Sequence, residues 1–309
     1  MSKIYEALLR AELDRLSVGL EDQQPEDIAA RTSATELKIA RPEEVDAVPA
    51  AHGLKEDLTY SIFSPRGAIS RRNWNPDTSH LPALDRRGTL VEQFRSLRSR
   101  LYELRSHQPL KSILISSAMP QEGKSFIAAN LAMCLAMHQN SKVLLIDGDM
   151  RRYTLHKIIG CSSQPGLASY LSGDTQMLDI MQQYSGTNDP NLRRLEALTF
   201  IGGGNASEKA GDLAANGNFS KLIQTLSSLF DWIIIDSSPV CLVSDATALA
   251  RSSDGVLLVA REGVTQAADA QRAASEFRSA NLLGFVLNGS RKTIKDDYYG
   301  YDGPYDKQE

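Results

Sequence analysis

Three stretches of the chain combine residue types suited to holding phosphate and a divalent cation. The first, Ala118-Met119-Pro120-Gln121-Glu122-Gly123-Lys124-Ser125, fits the P-loop pattern with Ala118 where the first glycine usually stands. Such a loop turns backbone N–H groups and a helix N-terminus toward phosphate oxygens. Lys124 is spaced to reach β- and γ-phosphates, and the Ser125 hydroxyl to hold Mg2+. The second, Val143-Leu144-Leu145-Ile146-Asp147-Gly148-Asp149-Met150-Arg151, follows an apolar run with two acids and a base. The third, Trp232-Ile233-Ile234-Ile235-Asp236-Ser237-Ser238-Pro239, closes another apolar run with an acid. A carboxylate there does little for packing, but beside a P-loop it can bind Mg2+ directly or through water. One such Asp alone would read as a cap or turn residue. Three motifs in this order point to nucleotide chemistry.

Positioning them requires apolar strands covered on both faces. Short β-branched runs at Ser112–Ser116, Val143–Ile146, Ala197–Ile201, Trp232–Ile235, Val256–Val259 and Phe285–Leu287 alternate with helical patterns. The helices are expected near Lys124–His138, Asn218–Leu229, Asp245–Arg251 and Gln266–Ala280. Continuous rather than alternating apolar runs predict an α/β fold, a mostly parallel sheet flanked by helices. Ligands then fall at the carboxyl ends of the strands, where the three motifs lie.

Outside this region, residues 1–20 place Ile4, Leu8, Leu9, Leu13, Leu16 and Leu20 at helical spacing among mixed charges, which reads as an amphipathic helix. Residues 21–85, rich in Pro, Asp, Glu, Ser and Arg, read as a flexible linker, and 86–290 as the regular domain. The tail 291–309 holds Tyr298, Tyr299, Tyr301 and Tyr305, four of the ten tyrosines, among acidic residues. Thirty-eight acids against 34 bases give a net charge of -4, which argues against nucleic acid as a partner. The three scattered cysteines fit a reducing compartment. The longest charge-free stretch, Ser125 to Ser141, contains Asn130, His138, Gln139 and Asn140 and reads as a buried helix, not a membrane span. With no signal-like N-terminus, a cytoplasmic protein is expected.

The Ala-x4-Gly-Lys-Ser loop, the Asp-x-Asp-x-Arg run at 147–151 and the Asp-x-x-Pro run at 236–239 resemble the bacterial tyrosine kinases of exopolysaccharide and capsule systems. The opening Met1-Ser2-Lys3-Ile4-Tyr5-Glu6-Ala7-Leu8 is similar to members without a fused transmembrane adaptor. Near Gly202–Leu213 the chain reads Gly202-Gly203-Gly204, where the family often has a Pro-containing turn. The resemblance implies ATP and Mg2+ as cofactors and autophosphorylation of the tyrosine cluster in trans. In this frame Lys124, Asp147, Asp149 and Asp236 form the catalytic set, with Ser125, Asp147 and Asp236 toward the metal and Asp147 favoured as general base. A phenol with a pKa near 10 needs such a base at pH 7. The loop from Ala118 to Ser125 and the following Phe126 line the nucleotide, with Arg261 and Asn288 expected at its edge. Arg151 is either a steadying partner of the carboxylates or an ordinary ion pair.

By composition Glu92, Arg95 and Arg98 make an exposed ion-pair face on a helix whose Leu90, Val91, Phe94, Leu97 and Leu101 point inward. The resemblance gives the same three residues a second role, joining identical subunits into a ring. It also implies a membrane-embedded polysaccharide co-polymerase as activator, recruitment to the inner face of the membrane, and a cognate tyrosine phosphatase. Two other functions fit the motifs: a switch ATPase of the ParA/MinD type and an ATP-binding scaffold. The switch ATPases need a second lysine five positions before Lys124, where this chain has Met119. A serine/threonine or metabolite kinase is a further reading of the same loop.

Overall fold

The computed structural model describes residues 69–85, 87–138, 141–186 and 192–290. Within them lie eight strands: β1 (Ser70–Arg72), β2 (Ser112–Ser117), β3 (Val143–Asp147), β4 (Met181–Tyr184), β5 (Leu198–Ile201), β6 (Trp232–Asp236), β7 (Gly255–Arg261) and β8 (Leu282–Asn288). They form one sheet in the order β1-β4-β5-β3-β6-β2-β7-β8. Every neighbouring pair is parallel except β4 with β5.

Period-two alternation decides which face each side chain meets. Leu114, Leu144, Ile146, Ile233, Ile235 and Leu258 point into one core. Ile113, Ile115, Val143, Leu145, Ile234 and Val259 point into the other. Because both faces are apolar, helices cover both. The first core receives α5 (Ala210–Ala215), α6 (Asn218–Leu226), α7 (Asp245–Ala250) and α8 (Ala267–Glu276). The second receives α1 (Thr89–His107) and α2 (Lys124–Ala136). Two short helices, α3 (Leu155–Ile159) and α4 (Leu167–Leu171), follow β3.

The charge-free stretch is α2, and every residue from Ile127 to Ala136 is buried. Its one buried polar side chain, Asn130, has a structural task. Its amide nitrogen donates to the carbonyls of His80 and Phe126, and its oxygen accepts from the Ala83 N–H. Thus Asn130 fastens residues 78–84 over α2. Residues 69–85 fall inside the stretch expected as linker, yet they carry β1 and bury Trp74, Leu81 and Ala83. Their few apolar residues are spaced by contacts rather than by a helical or strand period, so no pattern marks them. Strands β1 and β4 were also not expected; at three and four residues, with polar Ser, Arg and Gln, they lack the apolar run that marks the central strands.

Candidate nucleotide and phosphoryl-transfer site

The P-loop leaves the carboxyl end of β2 and closes on the first turn of α2. Two residues take positive φ to make the loop turn, Gln121 at 65° and Gly123 at 96°. Only glycine fits the latter, because a Cβ there would lie 2.0 Å from Asn288 Nδ2. The loop is braced from inside by Glu122, whose side chain is buried. Its Oε2 accepts the Met119 N–H at 2.8 Å, and its Oε1 meets the Thr265 hydroxyl. From the ends of β7 and β8, Arg261 donates to the Gln121 carbonyl at 3.1 Å and Asn288 to the Glu122 carbonyl at 2.9 Å.

Beside this loop the neighbouring strands β3 and β6 end on acids. Asp147 and Asp236 are register partners, both fully buried. Asp147 Oδ2 accepts the Leu155 N–H at 3.1 Å, while its Oδ1 and both oxygens of Asp236 are buried without a hydrogen-bond partner. Asp149 Oδ2 lies 3.7 Å from Lys124 Nζ, and its Oδ1 accepts the Arg152 N–H. Burial pushes the Asp236 carboxyl up to about 6, against the pull of the Lys124 charge and of the neighbouring Ser125 hydroxyl. Burial, together with the Asp236 and Asp149 charges, raises Asp147 well above the ordinary carboxylate range.

These orphaned oxygens fit a cation: a buried carboxylate without donors is costly unless something positive arrives. Among the described residues no group of three or more His, Cys, Asp or Glu forms a self-sufficient metal cage. That suits Mg2+, which keeps water and phosphate in its shell and takes only one or two protein carboxylates. Ser125, at the foot of the cleft, has its Oγ 3.3 Å from the hydroxyl of Thr154. A cleft of about 520 Å³ opens here, lined among others by Pro120, Gly123, Lys124, Ser125, Phe126 and Asp149.

The family model described as an AAA domain matches residues 111–269. The tyrosine-protein kinase YwqD of Bacillus subtilis (strain 168) is 35% identical over 218 residues, covering 70% of this chain and 87% of that protein. The chain belongs to the bacterial tyrosine-kinase family. A second relative, the tyrosine-protein kinase ptk of Acinetobacter johnsonii, is 29% identical over 77% of this chain but only 32% of its own length. Among solved structures, the kinase domain of Escherichia coli tyrosine kinase ETK superposes with a TM-score of 0.62 at 28% identity, covering 77% of this chain and 88% of that one.

Against the family's motifs, the structure brings Lys124, Ser125, Asp147, Asp149 and Asp236 together around the P-loop. Ala118 and Glu122 are buried within the loop, and neither they nor the half-exposed Met119 line the cleft with a side chain. Arg261 and Asn288, expected at the nucleotide's edge, hold the loop's backbone. Arg151 makes a two-pronged ion pair with Asp245, at 2.6 and 3.1 Å. The Gly202-Gly203-Gly204 stretch passes beneath the acids, where a Cβ at Gly203 would come within 2.8 Å of Tyr153 Cβ and 3.2 Å of the Asp147 carbonyl.

On α1, Val91, Phe94 and Leu101 are buried as expected, but Leu90 is half exposed because it sits in the first turn, ahead of the packed face. Glu92 and Arg95 pair on the exposed side. Arg98 instead donates to the Cys134 carbonyl at 3.1 Å, tying α1 to α2. The four tail tyrosines and residues 1–20 lie outside the described residues. Thr154, Thr265 and Asp245 also stand at the site, though none of them belongs to the three motifs. Each is reached through a contact distant in the chain, and only the acid opening a helix at Asp245 carried a local signal.

Proposed function

We propose that the chain is an ATP-dependent protein tyrosine kinase that phosphorylates Tyr298, Tyr299, Tyr301 and Tyr305 of another copy and so regulates exopolysaccharide synthesis or export. The observation that carries this reading is the pair of buried acids, Asp147 and Asp236, with unpartnered oxygens beside the P-loop lysine. Phosphoryl transfer requires positioning and charge neutralisation above all. The loop's N–H groups and Lys124 hold the β- and γ-phosphates. Ser125 and Asp236, with Asp147 nearby, would hold Mg2+, which when bound neutralises charge between those phosphates. Asp149 stays close to Lys124 and orients its ammonium. Asp147, whose carboxyl burial and the neighbouring acids raise above the ordinary carboxylate range, takes the proton of the incoming phenol.

Glu92, Arg95 and Arg98 support assembly of identical subunits into a ring, and a membrane-embedded polysaccharide co-polymerase is the expected activator, with a cognate phosphatase resetting the tail. No described helix is long and apolar enough to cross a membrane, so recruitment to the membrane's inner face is assigned to that activator. The switch-ATPase reading loses its cross-subunit lysine at Met119. Parallel assays of ATP turnover and phosphotyrosine separate the two. A kinase yields both, with or without an added activator segment; turnover with no phosphotyrosine under either condition favours the switch.

A further inference from the structure

The loop and short helix that follow the 147–151 motif form a second trough of about 420 Å³, lined by Arg151, Arg152, Tyr153, Thr154, His156 and Lys157. It shares Arg151, Arg152 and Thr154 with the nucleotide cleft, so the two run into each other. None of its lining residues is acidic. Asp245 neutralises Arg151. Burial, with the Lys157 charge beside it, holds the His156 imidazole below its ordinary range. What remains is the exposed pair Arg152 and Lys157, which meet no acidic side chain among the described residues. An uncompensated basic trough opening onto a phosphoryl-transfer cleft suits an anionic, extended chain, with Tyr153 offering a ring for an aromatic side chain to pack against.

The chain carries such a segment. Between residues 296 and 306 it has Asp296, Asp297, Asp302 and Asp306, four tyrosines and no basic residue. We propose that Arg152 and Lys157 are the docking pair for this acidic tail of a second copy, holding the segment so that one phenol at a time enters the cleft. The inference rests on the tyrosine-kinase reading for its catalytic outcome, and on charge complementarity alone for the docking.

Two measurements separate docking from catalysis. In the first, a fluorescent peptide of residues 296–306 is titrated with full-length chain, and its anisotropy is read at low and high salt. Arg152→Glu/Lys157→Glu is expected to weaken binding about tenfold or more at low salt, since two attractive contacts are replaced by repulsion. A peptide with Asp296→Lys and Asp297→Lys restores binding to that variant. In the second, a chain with its four tail tyrosines changed to Phe acts on a Lys124→Met chain. Lys157→Glu then raises KM for the protein substrate while KM for ATP holds. Equal peptide binding by both proteins, or binding to phosphatidylserine vesicles but not to the peptide, overturns the proposal. Absence of phosphotyrosine with peptide binding intact would instead overturn the kinase reading and leave the docking pair standing.

Discussion

Asp147 and Asp236 face each other across neighbouring parallel strands, and the N–H of Gly148 donates to the Asp236 carbonyl at 2.9 Å. The pairing fixes two carboxylates side by side in a fully buried place. Only one of their four oxygens, Asp147 Oδ2, accepts a hydrogen bond, and each charge disfavours the other, so ionising both in this buried place strains the protein where it is built to work.

This strain makes a prediction with a definite sign. Asp236 titrates near 6 in the folded chain, above its ordinary value of 3.8, so the folded state binds the extra proton between those values. Stability from this group is present below about 4 and is lost as pH rises through 6. Asp236→Asn is therefore expected to raise the melting temperature of nucleotide-free protein at pH 7.5 by a few degrees, at ~2–4 °C per kcal/mol for a domain this size. The gain should shrink toward pH 5. Thermal melts of both proteins across pH 5–8 check this; a gain that grew on acidification would contradict it.

Glu122 holds the P-loop from within through Met119 and Thr265. Glu122→Ala leaves that amide without its charged acceptor, a loss of about 1.5–3 kcal/mol for bonds of this kind. The KM for ATP is expected to rise roughly tenfold or more. Nucleotide titration of a variant whose circular dichroism is unchanged measures it.

Arg151 and Asp245 join the loop after β3 to the start of α7. Asp245 is buried and its partner half exposed, so Arg151→Ala leaves an acid in the interior with no counter-charge. About 1–3 kcal/mol of stability should be lost, less than for a fully buried pair. Chemical denaturation reads this directly, and Asp245→Asn in the same background should recover part of it.

The exposed Glu92–Arg95 pair should matter little to the fold. Glu92→Ala/Arg95→Ala is expected to change stability by no more than about 0.5 kcal/mol, while the proposed ring assembly is lost in sedimentation velocity. Arg98, bonded to the Cys134 carbonyl, should cost stability when replaced, a distinction the three residues' shared spacing does not reveal.

The sheet and its motifs were legible because their signals are local. Fully apolar runs such as Val143–Asp147 and Trp232–Asp236 imply coverage on both faces, and the acids at their ends mark the carboxyl edge where ligands sit. Short polar strands such as Ser70–Arg72 were not legible, since their pairing depends on a partner far along the chain. For the same reason Glu122 read as a loop residue that would face nucleotide, whereas Thr265, 143 positions on, turns it inward. Arg261 and Asn288 were expected at the nucleotide's edge; in the structure they donate to the P-loop carbonyls of Gln121 and Glu122, contacts made across 140 and 166 positions of chain that no local pattern marks.

Mapping phosphate by mass spectrometry after the full chain is incubated with Mg-ATP, with and without a candidate activator segment and beside Lys124→Met, decides whether the chain is a tyrosine kinase. Phosphotyrosine confined to Tyr298–Tyr305, and lost in the variant, is the expected result. Label that persisted in Lys124→Met, or that fell on serine and threonine with none on the tail, would contradict it.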